Sequence, residues 1–525
     1  MTWIQWPLRR FFQWVERGFD RIFGTAWNPF NCLGALGYFY FWVVAASGVY
    51  IYIFFDTGVT RAYDSVEYIT NQQWYLAGIM RSLHRYASDA LVAVMVIHMA
   101  REFAFDRFRG ARWYSWVTGI PMLWLVFATG ITGYWMVWDK LAQYVATATT
   151  EWLDWLPLFG EPISRNFLSP EHLNSRFFTL MVFLHIAVPL ILLFIMWFHL
   201  QRVNHAKVNP ARGLAVGTAG MLLVLSLIKP ATSQGPADLG AVPTGVGLDW
   251  FYLWVYPLIE KLSPGGTWIF LVGLSSFLVL LPWLPPKRRQ AAARVDLANC
   301  NGCTRCAEDC PYGAIAMKPR SDGTPFSHEA VVDPSLCESC GICAGACPTS
   351  TPFRRGSDLV PGIDLPDFAL ADLRTQIESE GARISGSARV MVVGCDHAVD
   401  VTRMRGPDVG VVKLRCIGQL PPSFVDFTIS RQIADGVLLT GCRDGQCHHR
   451  LGVRWTEARL AGRRDPYLRA RVPRDRISTC WAAASEGRTL SQAIDAFRER
   501  LKALRRDAPP VNTDETRSVE PEAVS

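Results

Sequence analysis

Two pairs of histidines with the same spacing lie inside long apolar segments of this chain. His84 and His98 lie fourteen residues apart within the stretch RSLHRYASDALVAVMVIHMAR, and His185 and His199 repeat the interval. Fourteen residues make almost four helical turns, so each pair lies on one helix face, about 21 Å apart along the axis. Titratable groups at membrane depth are costly and are usually functional. Two such helices facing each other could bind two haems, each iron ligated by two imidazoles.

Glycines repeat the fourteen-residue interval on two other apolar segments, as Gly34 with Gly48 and Gly119 with Gly133. A residue without a side chain would let a flat porphyrin approach the helix backbone. A single membrane histidine is more simply explained as a polar contact within a helix bundle. Two histidine pairs together with two glycine pairs favour haem binding instead.

Apolar segments of membrane-spanning length occur only in the first part of this 525-residue chain. A bilayer requires about 20 apolar residues for each spanning helix. Arg and Lys concentrate before the first segment and after the second, fourth and sixth, so the positive-inside rule places both termini in the cytoplasm. We interpret the net charge of +7 as a signal of topology, not of nucleic-acid binding. The six predicted spans are about 32–55, 76–102, 117–138, 177–201, 213–229 and 267–285.

The predicted fold class is a membrane all-α bundle of six transmembrane helices, followed by a ferredoxin-like α+β domain and a small α/β domain. The first residues, MTWIQWPLRRFFQWVERGFDRIFG, mix aromatic residues and arginines at helical spacing, which is typical of an amphipathic helix on a membrane surface. The predicted boundaries are 1–30 for this interfacial helix, 31–286 for the transmembrane domain, 287–355 for the ferredoxin domain, 356–385 for a linker, 386–503 for the α/β domain and 504–525 for a disordered tail.

The apolar part of the chain resembles cytochrome b of the respiratory bc and photosynthetic bf complexes over residues 27–286. The motifs RSLHR, VTGI and GITGYWMVWDKLAQYVAT carry the resemblance. It implies that His84 and His185 hold the haem near the outer surface, and that His98 and His199 hold the haem near the cytoplasm. It also implies that Arg81 faces a haem propionate and that the protein is a homodimer.

A cysteine at the start of the first span extends the resemblance. In bf-type cytochromes a cysteine in CLGG text attaches a further c-type haem through one thioether, and this chain has Cys32 in NCLGALG. The alternative is a buried membrane cysteine that acts as a small hydrophobic residue. Both interpretations remain open from the sequence.

The segment PADLGAVPTGVGLDWFYLWVYPLIEKL resembles the part of the family that carries a Pro-Glu-Trp-Tyr motif at the outer quinol-oxidising site. This chain has Leu248-Asp249-Trp250-Phe251 instead, so it keeps an acid but lacks the proline and the tyrosine. An acid beside a quinone pocket can accept a proton released on quinol oxidation, which makes Asp249 the candidate catalytic residue. The alternative is an ordinary acid in a surface loop.

Twelve of the fourteen cysteines cluster beyond the last span, which favours metal binding over a disulfide framework. CNGCTRCAEDCP and CESCGICAGACP both have the spacing C-x2-C-x2-C-x3-C-P and resemble bacterial ferredoxins with two 4Fe–4S clusters, where each run lends its fourth cysteine to the other cluster. Zinc is the alternative. The implied ligand sets are Cys300, Cys303, Cys306 and Cys347 for one cluster, and Cys337, Cys340, Cys343 and Cys310 for the other.

The remaining cysteine group belongs to a predicted α/β domain. ARVMVVGC and DGVLLTGC are typical of buried strands that end in cysteine, and KLRC indicates another strand, so Cys395, Cys416, Cys442 and Cys447 could converge at one sheet edge. Cys480 lies outside this pattern and is predicted to be structural.

This region resembles the delta subunit of methyl-viologen-reducing hydrogenases, whose GC-x4-CH ending appears here as GCRDGQCHH. The resemblance implies a 2Fe–2S cluster and electron transfer to a flavoprotein. The family's C-x-x-C at the first site is CDHA here, so zinc, or His397 or His448 as a ligand, remains an alternative.

Together these patterns predict a quinone-dependent oxidoreductase subunit of the bacterial cytoplasmic membrane. It would link quinone to a cytoplasmic flavoprotein, which is NAD(P)H-linked or of heterodisulfide-reductase type, and a Rieske-type or cytochrome partner could act outside. Charge crossing the membrane field is worth about 2.3 kcal/mol per 100 mV, so coupling to the proton-motive force is expected in either direction of flow. The alternatives are a non-catalytic anchor and electron wire, and a zinc-stabilised interaction protein.

Overall fold

The computed structural model describes residues 2–158, 160–163, 168, 175–201, 203–285, 290–353, 359–443 and 445–506. The chain divides into two compact units, Met1–Arg289 and Gln290–Ser525. The predicted disordered tail begins at 504, but the last described helix continues to Arg506, and residues 507–525 lie outside the described residues.

The main elements of regular secondary structure in the described residues of the first unit are helices. Its helices are α1 (Thr2–Phe23), α2 (Leu33–Tyr52), α3 (Ala62–Glu67), α4 (Ile79–Ala104), α5 (Trp113–Val137), α6 (Lys140–Asp154), α7 (Ser175–Gln201), α8 (Arg212–Ile228) and α9 (Val255–Leu280). α2 packs on α4, and α5 packs on α7, so the two glycine-bearing helices face the two histidine-bearing helices. The core between them is built from apolar side chains of these helices and of α6 and α9.

Four helical segments are long and apolar enough to cross a membrane by length and composition: Pro29–Tyr52, Gly110–Val137, Phe178–Gln201 and Val255–Trp283. The other two predicted spans are also helices. α4 is long enough but carries several charged residues, and α8 has 17 residues. Length and composition therefore support four of the six predicted spans, and crossing by α4 and α8 remains a prediction.

Local signals explain where helices begin and bend. Asp139 caps α6, because its carboxylate accepts a hydrogen bond of 2.8 Å from the backbone N–H of Ala142. Within α9 the backbone of Ser263 leaves the helical conformation directly before Pro264, whose ring is incompatible with a continuous helix.

The amphipathic helix α1 is anchored to the C-terminal end of α4. Buried Glu16 pairs with Arg101 at 2.7 Å, and the Gln5 amide donates a hydrogen bond of 2.9 Å to the carbonyl of Phe103. Trp3 and Trp14 are exposed on other positions of α1. Exposed aromatic residues suit the predicted membrane-surface position, because tryptophan favours the membrane interface.

The second unit begins with two antiparallel strand pairs and two short helices. β1 (Arg294–Val295) pairs with β4 (Ile363–Asp364), and β2 (Ile315–Pro319) pairs with β3 (His328–Val332). α10 (Arg305–Asp309) and α11 (Ile342–Ala346) each lie within one of the two cysteine runs.

The α/β part contains a four-stranded parallel sheet in the order β6-β5-β7-β8. The strands are β5 (Val390–Cys395), β6 (Val409–Leu414), β7 (Gly436–Gly441) and β8 (Ile477–Trp481), and the helices are α12 (Leu370–Arg383), α13 (Pro422–Ser430), α14 (Gly452–Leu460) and α15 (Gly487–Arg506). Apolar clusters that draw on alternate strand residues cover the sheet on both faces, as expected for parallel strands.

The segment 356–385, predicted as a linker, contains α12. Leu370, Leu373 and Ile377 of this helix are fully buried in the same cluster as Met391 and Val393 of β5. The α/β part therefore begins before the predicted boundary at 386. The linker interpretation missed this because α12 has many polar residues and only one narrow apolar stripe.

Candidate functional site

His84 of α4 and His185 of α7 come together between the helices. Their ring centroids are 6.2 Å apart. Two imidazoles that bind one metal from opposite sides, with bonds of about 2.0 Å, place their ring centres about 6 Å apart. The spacing of this pair therefore fits ligation of one iron by both rings.

The backbone and a hydroxyl group of α2 orient the ring of His84. Its Nδ1 lies 2.9 Å from the carbonyl oxygen of Val44 and 3.2 Å from Oγ of Ser47. A nitrogen that bonds to a carbonyl carries the proton, so Nε2 is left as the ligand atom. Directly after Ser47, a Cβ on Gly48 would lie 2.9 Å from Cε1 of His84, so this position requires glycine.

α5 repeats this arrangement around His185. The Nδ1 of His185 lies 3.0 Å from the carbonyl oxygen of Thr129 and 3.2 Å from Oγ1 of Thr132. A Cβ on Gly133 would lie 2.9 Å from Cε1 of His185. In both helices the hydroxyl residue precedes the glycine, and the carbonyl lies one helical turn before it.

The second histidine pair is held less uniformly. His199 has its Nδ1 3.0 Å from Oγ1 of Thr118, which again precedes the paired glycine, Gly119. His98 faces Gly34, which follows a leucine instead of a hydroxyl residue. Added Cβ atoms at these two glycines would lie 3.6 and 3.7 Å from the rings, which is ordinary contact.

The glycines thus have a function that the sequence argument did not anticipate. The fourteen-residue spacing predicts room for a porphyrin, whereas the structure shows room for the imidazole rings themselves. Each glycine is the position at which a histidine ring meets the neighbouring helix.

Cys32 and Arg81 lie at opposite ends of this unit's helices. Cys32 is half-buried directly before α2, with its Sγ 3.7 Å from the carbonyl oxygen of Pro29. Arg81 donates hydrogen bonds to Ser233 Oγ at 2.9 Å and to Thr70 Oγ1, and it lies 3.8 Å from a carboxylate oxygen of Glu67. Their predicted roles toward haem remain predictions.

Asp249 lies in a buried ionic network, not in an open surface loop. Its side chain is 6% exposed, and one carboxylate oxygen accepts hydrogen bonds from Tyr134 Oη at 2.5 Å and from Arg85 at 2.9 Å. The other oxygen accepts a bond of 2.9 Å from the backbone N–H of Phe251. The same Arg85 nitrogen donates 2.8 Å to Asp89, whose side chain is 14% exposed.

Sequence reasoning missed Arg85, Asp89 and Tyr134. Arg85 follows the ligand candidate His84 directly, and Asp89 follows Arg85 by one helical turn, so their i,i+4 spacing was a readable signal. Two carboxylates share one guanidinium here. When Asp89 and Asp249 are both ionised, the group has a net negative charge and can accept one proton.

The two ligand sets in the ferredoxin-type segment remain a prediction, and the thiols that most affect Cys306 and Cys340 belong to the sets that the resemblance implies. Burial raises the pKa of the Cys306 thiol to about 12, and its neighbours Cys303, Cys347 and Cys300 raise it as well. Burial likewise raises the pKa of Cys340, and its neighbours Cys310, Cys337 and Glu338 raise it further. Clustered buried thiols cannot all ionise without bound cations, so this donor chemistry fits iron–sulfur clusters.

The four cysteines of the α/β part meet at the carboxyl edge of the parallel sheet. Cys395 ends β5 and lies 3.7 Å from Cys442, measured between Sγ atoms, and Cys447 contacts the thiols of both Cys416 and Cys442. All four are buried. A four-thiol donor set fits one small iron–sulfur cluster. Cys480 is in β8, opposite Thr440, and packs into the apolar core on one face of the sheet.

Within the second unit, buried charges join the cysteine-rich segment to the α/β part. Asp309, at the end of α10, pairs with Arg459 of α14 and with Arg464. Tyr312 Oη lies 2.7 Å from Nδ1 of His449. The set containing Cys340 is the one adjacent to Cys416.

Three segments of the chain match known families. Residues 20–207 match the family described as Cytochrome b/b6/petB, residues 299–351 match the 4Fe-4S dicluster domain, and residues 387–505 match the Methyl-viologen-reducing hydrogenase, delta subunit. Among solved structures, a chain from a hyperthermophilic respiratory Complex III is 19% identical, with a TM-score of 0.39. That match covers 48% of this chain and 74% of the other.

Proposed function

From the premise that the chain joins a cytochrome b/b6 domain, a 4Fe–4S dicluster domain and a hydrogenase delta-subunit domain in one membrane electron-transfer subunit, we propose that it exchanges electrons between quinone and a cytoplasmic flavoprotein. Bound haems and iron–sulfur clusters would supply the one-electron chemistry. The residues for the two b haems are His84 with His185 and His98 with His199. The chain's own residues must then bind the quinone and handle its protons.

The observation that carries the quinone link is the ionic network beside the outer histidine pair. Quinol oxidation releases two electrons and two protons, so the site needs a proton acceptor close to an electron acceptor. Arg85 stands next to His84 in α4 and contacts both Asp89 and Asp249. A buried group with two carboxylates and one guanidinium suits proton uptake from quinol or proton donation to quinone.

The two carboxylates have different environments, which suggests different roles. Asp249 accepts hydrogen bonds from Tyr134, from Arg85 and from the backbone, so both of its carboxylate oxygens already have donors. Asp89 has Arg85 as its hydrogen-bond donor among the described contacts. We therefore assign proton exchange with the quinone to Asp89, and positioning of Arg85 to Asp249.

The rest of the proposal concerns membrane placement and partners. The chain lies in the bacterial cytoplasmic membrane with six spans and both termini in the cytoplasm, and it acts as a homodimer coupled to the proton-motive force. Its electrons pass through two 4Fe–4S clusters and a 2Fe–2S cluster to the flavoprotein. A Rieske-type or cytochrome acceptor serves it outside.

An anaerobic redox titration of the purified full chain, followed optically and by electron paramagnetic resonance, tests this function. We expect two b-haem transitions and the signals of three iron–sulfur clusters, and we expect added quinol to reduce the haems. Haems and clusters without any quinol reactivity would instead establish the non-catalytic anchor and wire. Absence of haem would refute the assignment of the histidines.

The third, c-type haem proposed at Cys32 has a separate test. After denaturing electrophoresis, haem should remain with the wild-type polypeptide and be lost from Cys32→Ala, because only a thioether survives denaturation. Cys480→Ala is the matched control, since Cys480 packs into the sheet core. Haem-free wild-type polypeptide would show that Cys32 is an ordinary membrane cysteine.

A further inference from the structure

Three histidines converge beside the four-cysteine site, and no cluster assigned above uses them. His397 follows β5, and His448 and His449 follow Cys447. One ring nitrogen from each histidine lies within 4.8 Å of the others. The rings of His397 and His448 stack with their centroids 3.7 Å apart, and the ring of His449 lies 4.9 Å from that of His448.

The rings are held from different parts of the fold. His449 is buried, and Tyr312, from the cysteine-rich segment, contacts its Nδ1 at 2.7 Å. A hydrogen bond at one ring nitrogen fixes the ring and leaves the other nitrogen for a metal, as in many metal sites. His397 is exposed, so an ion could reach the group from solvent.

Neutral imidazole binds metal ions through the lone pair of a ring nitrogen, and each of the three histidines offers one such nitrogen. The ligand atoms of a tetrahedral zinc ion lie about 3.3 Å apart, given metal–nitrogen bonds of about 2.0 Å. A metal ion lies in the plane of each imidazole that binds it, so the exposed ring of His397 must turn out of its stack on His448 for both rings to ligate one ion.

The histidines are not needed for the neighbouring cluster. Cys395, Cys416, Cys442 and Cys447 already provide the four thiolates that an iron–sulfur cluster of this size requires. The three imidazoles therefore form a donor set distinct from the four thiols.

We propose that His397, His448 and His449 bind a divalent transition-metal ion, with zinc as the expected ion, and that the fourth position is open to water. This site is independent of the quinone chemistry. A fixed dication next to the cluster held by Cys447 would also stabilise that cluster's reduced form, because a nearby positive charge favours added electrons.

Metal analysis and zinc-edge X-ray absorption of the full-length protein, dialysed against buffer with a small excess of zinc, test the proposal. We expect one zinc ion per chain, a first shell of nitrogen and oxygen without sulfur, and loss of that zinc in His397→Ala. His397 is exposed, so this variant is expected to fold. His328→Ala, an exposed histidine of β3, should keep the zinc.

Two further readouts distinguish a separate zinc site from a histidine that ligates the cluster iron and from zinc bound by cysteine. The cluster signals should persist in His397→Ala and His448→Ala, with the C-terminal cluster shifted to a lower potential, and quinol oxidation should continue. Loss of the cluster signal in His448→Ala would mean that the histidine ligates iron. Sulfur in the zinc shell, or equal zinc content in His397→Ala and wild type, would also overturn the proposal.

Discussion

At the residue scale, the two glycines that face the outer histidine pair are positions where no larger side chain fits beside the ring. In Gly48→Ala the new methyl group would lie 2.9 Å from the ring of His84, too close for the ring to stay in place. We expect the variant to lose most of its outer b haem while keeping the inner one. The haem content per chain and the number of b-haem transitions in a redox titration measure this.

Two matched variants check that the effect is local. Gly217→Ala adds a methyl group to a helix position with open space, so it should keep both haems. Gly119→Ala places the methyl group 3.6 Å from His199 and should have a mild effect. Equal haem content in Gly48→Ala and Gly217→Ala would contradict the role of Gly48.

The acids of the ionic network should differ from each other and from surface acids. Asp89→Asn removes the assigned proton acceptor, and we expect it to slow quinol-driven haem reduction by about 10²-fold or more, the usual range for loss of a general base. Asp249→Asn weakens the hold on Arg85 and Tyr134 but leaves Asp89, so its quinol rate should fall less. Stopped-flow haem reduction measures both rates.

The control for this pair is Asp56→Asn, which changes an exposed acid and should keep the wild-type rate. The dependence of the rate on pH provides a second readout: it should disappear in Asp89→Asn and persist in Asp249→Asn. An unchanged rate in Asp89→Asn together with a large loss in Asp249→Asn would reverse the two assignments.

At the scale of elements, the pairing of α10 with α14 depends on a buried charge. Asp309 has a side-chain exposure of 2%, and its carboxylate contacts Arg459, which is 1% exposed. Asp309→Asn would leave that guanidinium buried without a counter-charge, which typically costs about 3–5 kcal/mol. We expect the iron–sulfur absorbance of the full chain to be lost at a lower denaturant concentration than in wild type.

The comparison variant is Asp495→Asn in α15. This aspartate also pairs with an arginine, Arg498, but its side chain is 65% exposed. Exposed pairs contribute about 0–1 kcal/mol, so the midpoint of unfolding should hardly move. Similar midpoints for the two variants would show that the contact of Asp309 does not hold α10 and α14 together.

At the scale of the whole molecule, the testable property is the number of helices that cross the membrane. By length and composition α4 is too charged and α8 too short to qualify as spans, so termini on one side require that both helices cross, giving six spans, or that neither does, giving four. The charges of α4 are paired with partners on other segments, such as Arg85 with Asp249, which lowers their cost in the membrane.

Reporter fusions at the N-terminus, at residue 210 and at the C-terminus should all report the cytoplasmic side, whereas a fusion in the loop at 240 should report the outside. α8 lies between residues 210 and 240, so the fusions at these two positions test directly whether the shorter helix crosses. A cytoplasmic signal from 240 would show that α8 does not cross.

The sequence alone predicted several features that depend on spacing along one chain segment. The histidine and glycine intervals follow from the helical repeat, the two ferredoxin runs are complete ligand motifs, and strands ending in cysteine predict a site at one sheet edge. The three family matches agree with these local patterns.

Tertiary structure decided what depends on residues that are distant in the chain. From the sequence Asp249 is a candidate catalytic acid or an ordinary loop acid, and only the fold brings Arg85 and Tyr134 to its carboxylate. Likewise, α12 is predicted as part of a linker until its narrow apolar stripe meets β5. His397 gains a possible ligand role only where His448 and His449 pack beside it. Pairing of charges and packing of faces are interactions across segments, so periodicity within one segment carries no record of them.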